Sequence, residues 1–452
     1  MTVKALMPVR WNLVAPLAHE ATDMHTLGNR LACPALSGAV DELIGESLRP
    51  GDVESASSAR TRGSRISTTA TRTTTTSTTT TAREPSASSD LFSLLVEAYL
   101  DCRRTKRNSA SALAFEAHLE ENLCDLHDDL VSGAYRPGRS TCFVTLRPKP
   151  REIWAAGFRD RVVHHLLHNR ISPRFYRSFI ADTCACIAGR GTLYAAQRLE
   201  HQVRSITRNW SRPAFFLKCD LANFFVAIDK HVLREQLVSH IDGTWWQALA
   251  ETILFHDPRI DVDVRSRPHE LRLVPSHKSL FNAPADTGLP IGNLSSQFFA
   301  NVYLDALDQF SKHQLRARRY IRYVDDFVFI HESTAVLSDW LRQVTAFLPE
   351  RLGAHINPRK TVLQPVSRGI DFVGHVIRPF HRTPRANALP NALRRIRDTK
   401  DDELFEAINS YFGLFRQTDS RHVRAQLANA ARRRGFTVNG DLTKVYRRGD
   451  LA

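Results

Sequence analysis

The sequence predicts an α+β fold in which an antiparallel sheet is backed by helices, and three observations predict it. Arg322-Tyr323-Val324-Asp325-Asp326-Phe327-Val328-Phe329-Ile330 sets two adjacent carboxylates between aromatic and β-branched runs, the pattern of a buried hairpin with the acids at its turn. Ala214-Phe215-Phe216-Leu217-Lys218-Cys219 is a second apolar run, and it ends in Asp220, which puts that carboxylate at a strand's carboxyl end. Phe299, Tyr303 and Leu307, with Phe310 following, recur at helical spacing, as do Phe405, Ile408, Phe412 and Phe415. Burying this much apolar surface beside adjacent carboxylates is costly unless a cation neutralises them. The other two Asp-Asp pairs, Asp128-Asp129 and Asp401-Asp402, lie in charged, helix-like surroundings without such flanks.

In chain order, Glu54 to Ser89 is mostly Ser, Thr, Ala and Arg, with an almost unbroken Thr tract from Thr71 to Thr81. Such a segment buries too little surface to offset its ordering entropy and is expected to be disordered. Met1 to Gly51 shows no clear periodicity. Ser89-Asp90 is a helix cap before Leu91-Phe92-Ser93-Leu94-Leu95-Val96. A basic turn, Arg103 to Arg107, leads to a second amphipathic helix carrying Phe115, Leu119, Leu123 and Leu126. Arg159 to His168 reads as helix, and Gly189-Arg190-Gly191-Thr192 as a flexible basic turn. Beyond Pro379 the chain turns basic, with Arg394, Arg397 and Arg432-Arg433-Arg434 around the apolar face of Phe405 to Phe415.

At 452 residues the chain accommodates two or three subdomains. A formal charge of +15 points to a polyanionic partner, since Lys and Arg that neutralise phosphates release counterions. The seven cysteines are scattered and odd in number, which fits a reducing, cytoplasmic setting better than a disulfide framework. No run approaches a membrane span, so no membrane partner is expected. His164 and His168 stand at i, i+4 without a third ligand at zinc-like spacing.

Asp220 through Phe225 resembles the first catalytic motif of the palm domain of reverse transcriptases, and Tyr323-Val324-Asp325-Asp326 resembles the third. Three further stretches follow the family's order. Pro148-Lys149-Pro150-Arg151-Glu152-Ile153 resembles the fingers segment that grips the triphosphate. Asn357-Pro358-Arg359-Lys360-Thr361 resembles the segment with a lysine near the leaving pyrophosphate, and Ile370-Asp371-Phe372-Val373-Gly374-His375 the primer-grip turn. The likeness runs from about Leu91 to about Phe436. It implies a right-hand polymerase with fingers, a palm (antiparallel sheet backed by helices) and a small helical thumb. The expected boundaries are 1–89 for an N-terminal extension, 90–213 for N-terminal helices and fingers, 214–378 for the palm and 379–452 for the basic thumb. The family's start near Leu91 leaves the leader as a lineage extension or the product of a misassigned start codon.

What the resemblance implies for chemistry is specific. Asp220 and Asp325 are expected to bridge two Mg²⁺ ions, with Mn²⁺ able to substitute, the backbone carbonyl of Leu221 completing the site and Asp326 a secondary ligand or a support for the turn. Lys149 and Arg151 are expected on the triphosphate. Phe225 beneath the ribose leaves no room for a 2′-hydroxyl and selects dNTPs. Lys360 is either the acid that protonates pyrophosphate or a surface lysine. Arg190, Asn293, Ser296, Gln297, Gly374, Arg394 and Arg397 are expected along the template RNA and cDNA/primer path.

Gly288-Leu289-Pro290-Ile291-Gly292-Asn293-Leu294-Ser295-Ser296-Gln297 narrows the resemblance. Most reverse transcriptases have Gln where this chain has Ile291, and Pro where it has Gln297. The form here is similar to that of diversity-generating retroelement reverse transcriptases, which copy a template-repeat RNA with frequent errors at adenines and associate with a small basic accessory protein. Ile291, with Gly292 beside it at the incoming nucleotide, lacks the amide that would hydrogen-bond near the nascent pair, and specificity is a difference in transition-state binding. The alternatives are a retron or phage-defence reverse transcriptase, and a catalytically silent RNA-binding protein.

Overall fold

The computed structural model describes residues 88–104, 109–146, 149–399 and 401–447. The expectations for residues 1–87, for 105–107 of the basic turn and for Pro148 fall outside the described residues.

The first described helix, Ser88–Arg104, has Asp90 in its first turn and buries Leu91, Phe92, Leu95, Val96 and Tyr99. The single helix expected through Phe115 and Leu126 is two helices, Ala110–Glu116 and Leu119–Ser132, and the break is a correction. His118 leaves helical geometry at φ −133. The bend lets Phe115 pack on Tyr99 and Phe158, ring centroids 6.4 and 5.4 Å away, while Leu123, Leu126 and Leu130 are buried further on. Phe158–Ser178 is the helix expected around Arg159 to His168.

Three of the four sheets among the described residues position the site. Strands β1 (Ser140–Thr145), β2 (Arg151–Ala155), β3 (Thr183–Cys184), β4 (Phe215–Asp220), β5 (Val262–Val264), β6 (Tyr320–Tyr323), β7 (Asp326–His331), β8 (Val362–Pro365), β9 (Ile370–Phe372), β10 (His375–Arg378) and β11 (His381–Pro384) supply them. The central sheet has the order β3-β6-β7-β4-β8, antiparallel except for the short β3–β6 pair. A smaller sheet has the order β2-β1-β5, and a third β11-β10-β9.

Side chains alternate across a strand, and here both faces are covered. Leu217, Cys219, Phe327 and Phe329 pack with Phe299, Tyr303, Leu307, Leu337 and Val344 of helices Leu294–Gln309 and Thr334–Leu352. Phe216, Val328 and Ile330 face Leu199 and Val203 of helix Thr192–Ile206 and also Ile370 and Ile377. Two-sided burial explains why these strands read as near-continuous apolar runs. It also puts Lys218, Asp220 and Asp326 on the same face as Phe216, Val328 and Ile330, the two acids at the end of the sheet beyond those apolar positions.

The basic C-terminal part is three helices, Ala388–Asp398, Asp401–Phe415 and Arg421–Arg433, around Ile408, Phe412, Phe415 and Leu427. Two connections cross the boundaries read from sequence. β5, from the middle of the expected palm segment, pairs with β1 in the small N-terminal sheet, and β11 continues the third sheet past residue 378. No described helix is long and apolar enough to cross a membrane.

Candidate active site

The β6–β7 hairpin turns through Val324 and Asp325, and β7 lies beside β4 in a register that sets Asp326 directly opposite Asp220. Leu221 N–H donates to the Asp325 carbonyl at 3.2 Å, which fixes the turn against the end of β4. Asp220 is 4% exposed. Lys360 Nζ bonds both of its carboxylate oxygens, and Asn357 Nδ2 lies 3.4 Å from Oδ1. Lys218 Nζ is 3.7 Å from Asp326 Oδ2 and donates to the Asp371 carbonyl at 3.0 Å. Burial first, then the charges of Asp326 and Asp220, push the Asp325 carboxyl up to about 7. Burial also raises Asp326, against the pull of Lys218. Lys218 and Lys360 therefore leave Asp325 and Asp326 under-compensated, the electrostatic condition a divalent cation relieves. Among the described residues no three His, Cys, Asp or Glu side chains converge as ion ligands as they stand, and Asp220 is turned onto Lys360.

Beneath the hairpin lies a buried ionic network. Arg322 and Asp308, both 0% exposed, form a two-pronged pair at 2.8 and 2.7 Å. Asp308 also accepts from Thr183 Oγ1 at 2.6 Å and Tyr320 OH at 2.7 Å. The second arm of Arg322 donates to the Val324 carbonyl at 3.1 Å and to Asn301 Oδ1 at 3.2 Å. Val324 has φ 54, a conformation that a β-branched residue adopts only when held. Arg322 holds it.

The loop 288–293 joins the small sheet to the short helix Phe224–Ala227 that follows β4. Leu289 N–H donates to the Phe225 carbonyl at 2.8 Å, and Trp154 N–H of β2 to the Ile291 carbonyl at 2.7 Å. Ile291 and Phe225 are half-buried, whereas Phe224 is buried, its ring 6.4 Å from that of Tyr303. Gly292 has φ 139, and a side chain there would meet the Trp154 carbonyl oxygen at 2.6 Å. Gly292→Ala is therefore expected to prise the loop from β2 and raise KM for dNTP about tenfold with a smaller change in kcat, read by steady-state primer extension.

Other expected site residues are placed differently. Ser296 is 2% exposed and Asn293 is buried with its amide oxygen accepting Ala156 N–H at 3.1 Å, so in this conformation neither faces a template strand as expected. Arg190 is occupied by the carbonyls of Ile180 at 2.9 Å and Thr183 at 3.4 Å, and shapes its own turn. Gln297 is half-buried in the first turn of helix Leu294–Gln309. Gly374, φ 89, makes the β9–β10 turn. Arg151 opens β2, and Lys149 lies in the β1–β2 connection. Arg394 and Arg397 are exposed on one face of helix Ala388–Asp398, Arg397 lying 3.1 Å from Asp398. Burial pushes the His164 imidazole down to about 3, and His168 pairs with Tyr176 OH at 2.8 Å. Lys218, Arg322 and Asp308 were not singled out by sequence. The available signal was a lysine inside an apolar run, two residues before Asp220.

A helix-backed antiparallel sheet with acids from two strands at one end has the layout of the palm of right-hand nucleic-acid polymerases. The reverse transcriptase (RNA-dependent DNA polymerase) family matches residues 147–377, just over half of the chain, and the chain belongs to that family. Among solved structures it is similar to a telomerase from Candida albicans in complex with a TWJ fragment of telomeric RNA, at 15% identity over 66% of this chain and 55% of that chain, TM-score 0.39. It is similar also to apo telomerase from Candida tropicalis, at 10% identity over 68% of this chain and 59% of that chain, TM-score 0.41. The chain thus spans little more than half the length of these structures. No curated protein matches it.

Proposed function

We propose that the chain copies an RNA template into cDNA by two-metal nucleotidyl transfer, with the low fidelity of diversity-generating retroelement reverse transcriptases. The donor set suits the metal: Asp220 lies directly opposite Asp326 with Asp325 in the adjoining turn, and release of Asp220 from Lys360 would bring three carboxylates to one end of the sheet. Together with the Leu221 carbonyl they would hold two Mg²⁺ ions. When bound, the ions supply a lowered pKa at the primer hydroxyl and neutralise phosphate charge. The protein aligns the reactants and exposes fixed charge to them. Lys149 and Arg151 hold the triphosphate from the β1–β2 hairpin, and Phe225 sits under the sugar. Lys360 is the counter-ion of Asp220 in this structure, which favours a charge-balancing role over that of proton donor to pyrophosphate. The exposed Arg394 and Arg397 position the duplex.

The observation that carries the low-fidelity reading is Ile291 in a loop stitched to both Phe225 and β2, where an amide would otherwise be available to the nascent pair. Primer extension in Mg²⁺ on a defined RNA, with products sequenced at each template base, tests it. Errors concentrated at adenines are expected, and Ile291→Gln is expected to lower them roughly 2- to 10-fold, the worth of one net hydrogen bond. An unchanged error spectrum in that variant removes Ile291 from the explanation. Faithful copying by the unaltered chain moves it to the retron or phage-defence kind. A small basic accessory protein is the partner this reading brings with it.

A further inference from the structure

The end of the central sheet opposite the carboxylates carries a second surface. β4 runs six residues from Phe215 to Asp220, about 17 Å at ~3.4 Å per residue. Three segments meet around its start. Val366 N–H donates to the Ala214 carbonyl at 2.9 Å, which brings the segment after β8 beside the turn that precedes β4. A side chain added at Gly369 would lie 3.2 Å from Arg378 Cγ, so Arg378 lies against the turn that carries Arg368. Phe380, in the β10–β11 turn, has its ring 6.4 Å from that of Trp210.

Phe380 is 68% exposed and has φ 66. Trp210 packs against the sheet core, and its Nε1 is buried without a hydrogen-bond partner. Its turn is held firmly: Trp210 N–H donates to Thr207 Oγ1 at 2.8 Å and Arg212 N–H to the Thr207 carbonyl at 2.8 Å. Arg208, Asn209 and Trp210 all have positive φ, 47, 57 and 69. Arg208, Arg212, Arg368 and Arg378 are exposed, and among the described residues none of them has a carboxylate partner. Of the acids around this face, Glu200 is paired with Arg204 at 3.0 Å and Arg382 at 3.2 Å, and Asp419 accepts the Arg382 N–H at 2.8 Å.

An exposed ring on a rigid turn, ringed by cations without counter-charges, matches single-stranded nucleic acid: bases stack on the ring and phosphates meet the guanidinium groups. We propose that Phe380, backed by Trp210 and flanked by Arg208, Arg212, Arg368 and Arg378, is an accessory docking site for single-stranded RNA, separate from the polymerase centre. Charge decides for RNA over a protein, because a protein partner would have to bring a concentration of acids, whereas an uncopied template already carries one charge per nucleotide. The site goes beyond the reading of fidelity and does not depend on it.

The test is photo-crosslinking of the full chain to a 4-thiouridine-substituted single-stranded RNA, with adducts mapped by mass spectrometry. Adducts within 208–212 and 378–382 are expected. Phe380→Ala should remove them and weaken RNA binding about tenfold with an unchanged melting temperature. Arg208→Gln and Arg378→Gln should each reduce the slope of log affinity against log salt by about 0.7. Single-nucleotide extension of a short template–primer by these variants should match the unaltered chain. Adducts confined to other segments, or Phe380→Ala binding RNA with unaltered affinity, overturn the site and leave this face to a protein partner. Failure of the unaltered chain to extend primers, with these adducts present, counts against the polymerase mechanism and not against this site.

Discussion

Asp325→Ala is expected to lower Mg²⁺-dependent primer extension by on the order of 10³-fold or more, equivalent to ~4 kcal/mol of transition-state stabilisation. RNA affinity and the melting temperature should hold or, for the latter, rise. The two halves of this expectation have one cause. Asp325 sits at the hairpin turn beside Asp326 and Asp220, with its carboxyl pushed up to about 7 by burial and by those neighbours. A charge kept in such company opposes folding, so removing it relieves repulsion, while on the proposed mechanism removing a ligand of the cations disables the chemistry. Function here is held at the expense of stability. Comparable extension by the variant, measured beside a thermal melt in EDTA, would remove Asp325 from the centre of the mechanism.

The strands bearing the acids were legible because they are buried on both faces and so written almost wholly in Phe, Val, Ile and Leu. The acids broke that run at its end. Helix Leu294–Gln309 was legible for the complementary reason: Phe299, Tyr303 and Leu307 share one face and are all buried. The break at Ala117-His118 was not, because both short helices keep the same apolar spacing and only tertiary packing on Tyr99 and Phe158 separates them. Nor was the return of β5 to β1. A three-residue strand carries too little pattern to reveal its partner, which begins 122 positions earlier in the paired register Ser140 to Val262.

In the site, residue type was legible and side-chain engagement was not. Asn293 and Arg190 are polar residues on loops, where a strand of nucleic acid is a natural partner, yet each serves the backbone: Asn293 caps Ala156 N–H and Arg190 holds two carbonyls. Lys360 was expected near the leaving group and is found on Asp220, since the nearest available anion in the folded chain is that carboxylate. Local sequence specifies which groups are present. Which of them the fold itself consumes is settled by contacts made only in the folded chain, for Asn293 and Lys360 between residues more than a hundred positions apart.

Arg322→Met is expected to destabilise the chain by about 3–5 kcal/mol, because it strands the Asp308 carboxylate in a fully buried position. It should also reduce kcat for extension, as the Val324 carbonyl loses the donor that holds the turn. These effects can be separated. Adding Asp308→Asn removes the uncompensated charge and keeps one acceptor oxygen for Thr183 or Tyr320, with the amide N–H₂ donating to the other hydroxyl, so the double variant should recover a large part of the lost stability. It should not recover kcat, since nothing replaces the bond to Val324. Arg322→Lys restores the charge but not the fork that reaches Asp308, Asn301 and Val324 together, and is expected to fall between the two. A double variant that regains stability and kcat in parallel would show that Arg322 acts only as a structural ion pair. A double variant that is stable and slow, with KM for dNTP unchanged, would establish it as the residue that positions the catalytic turn.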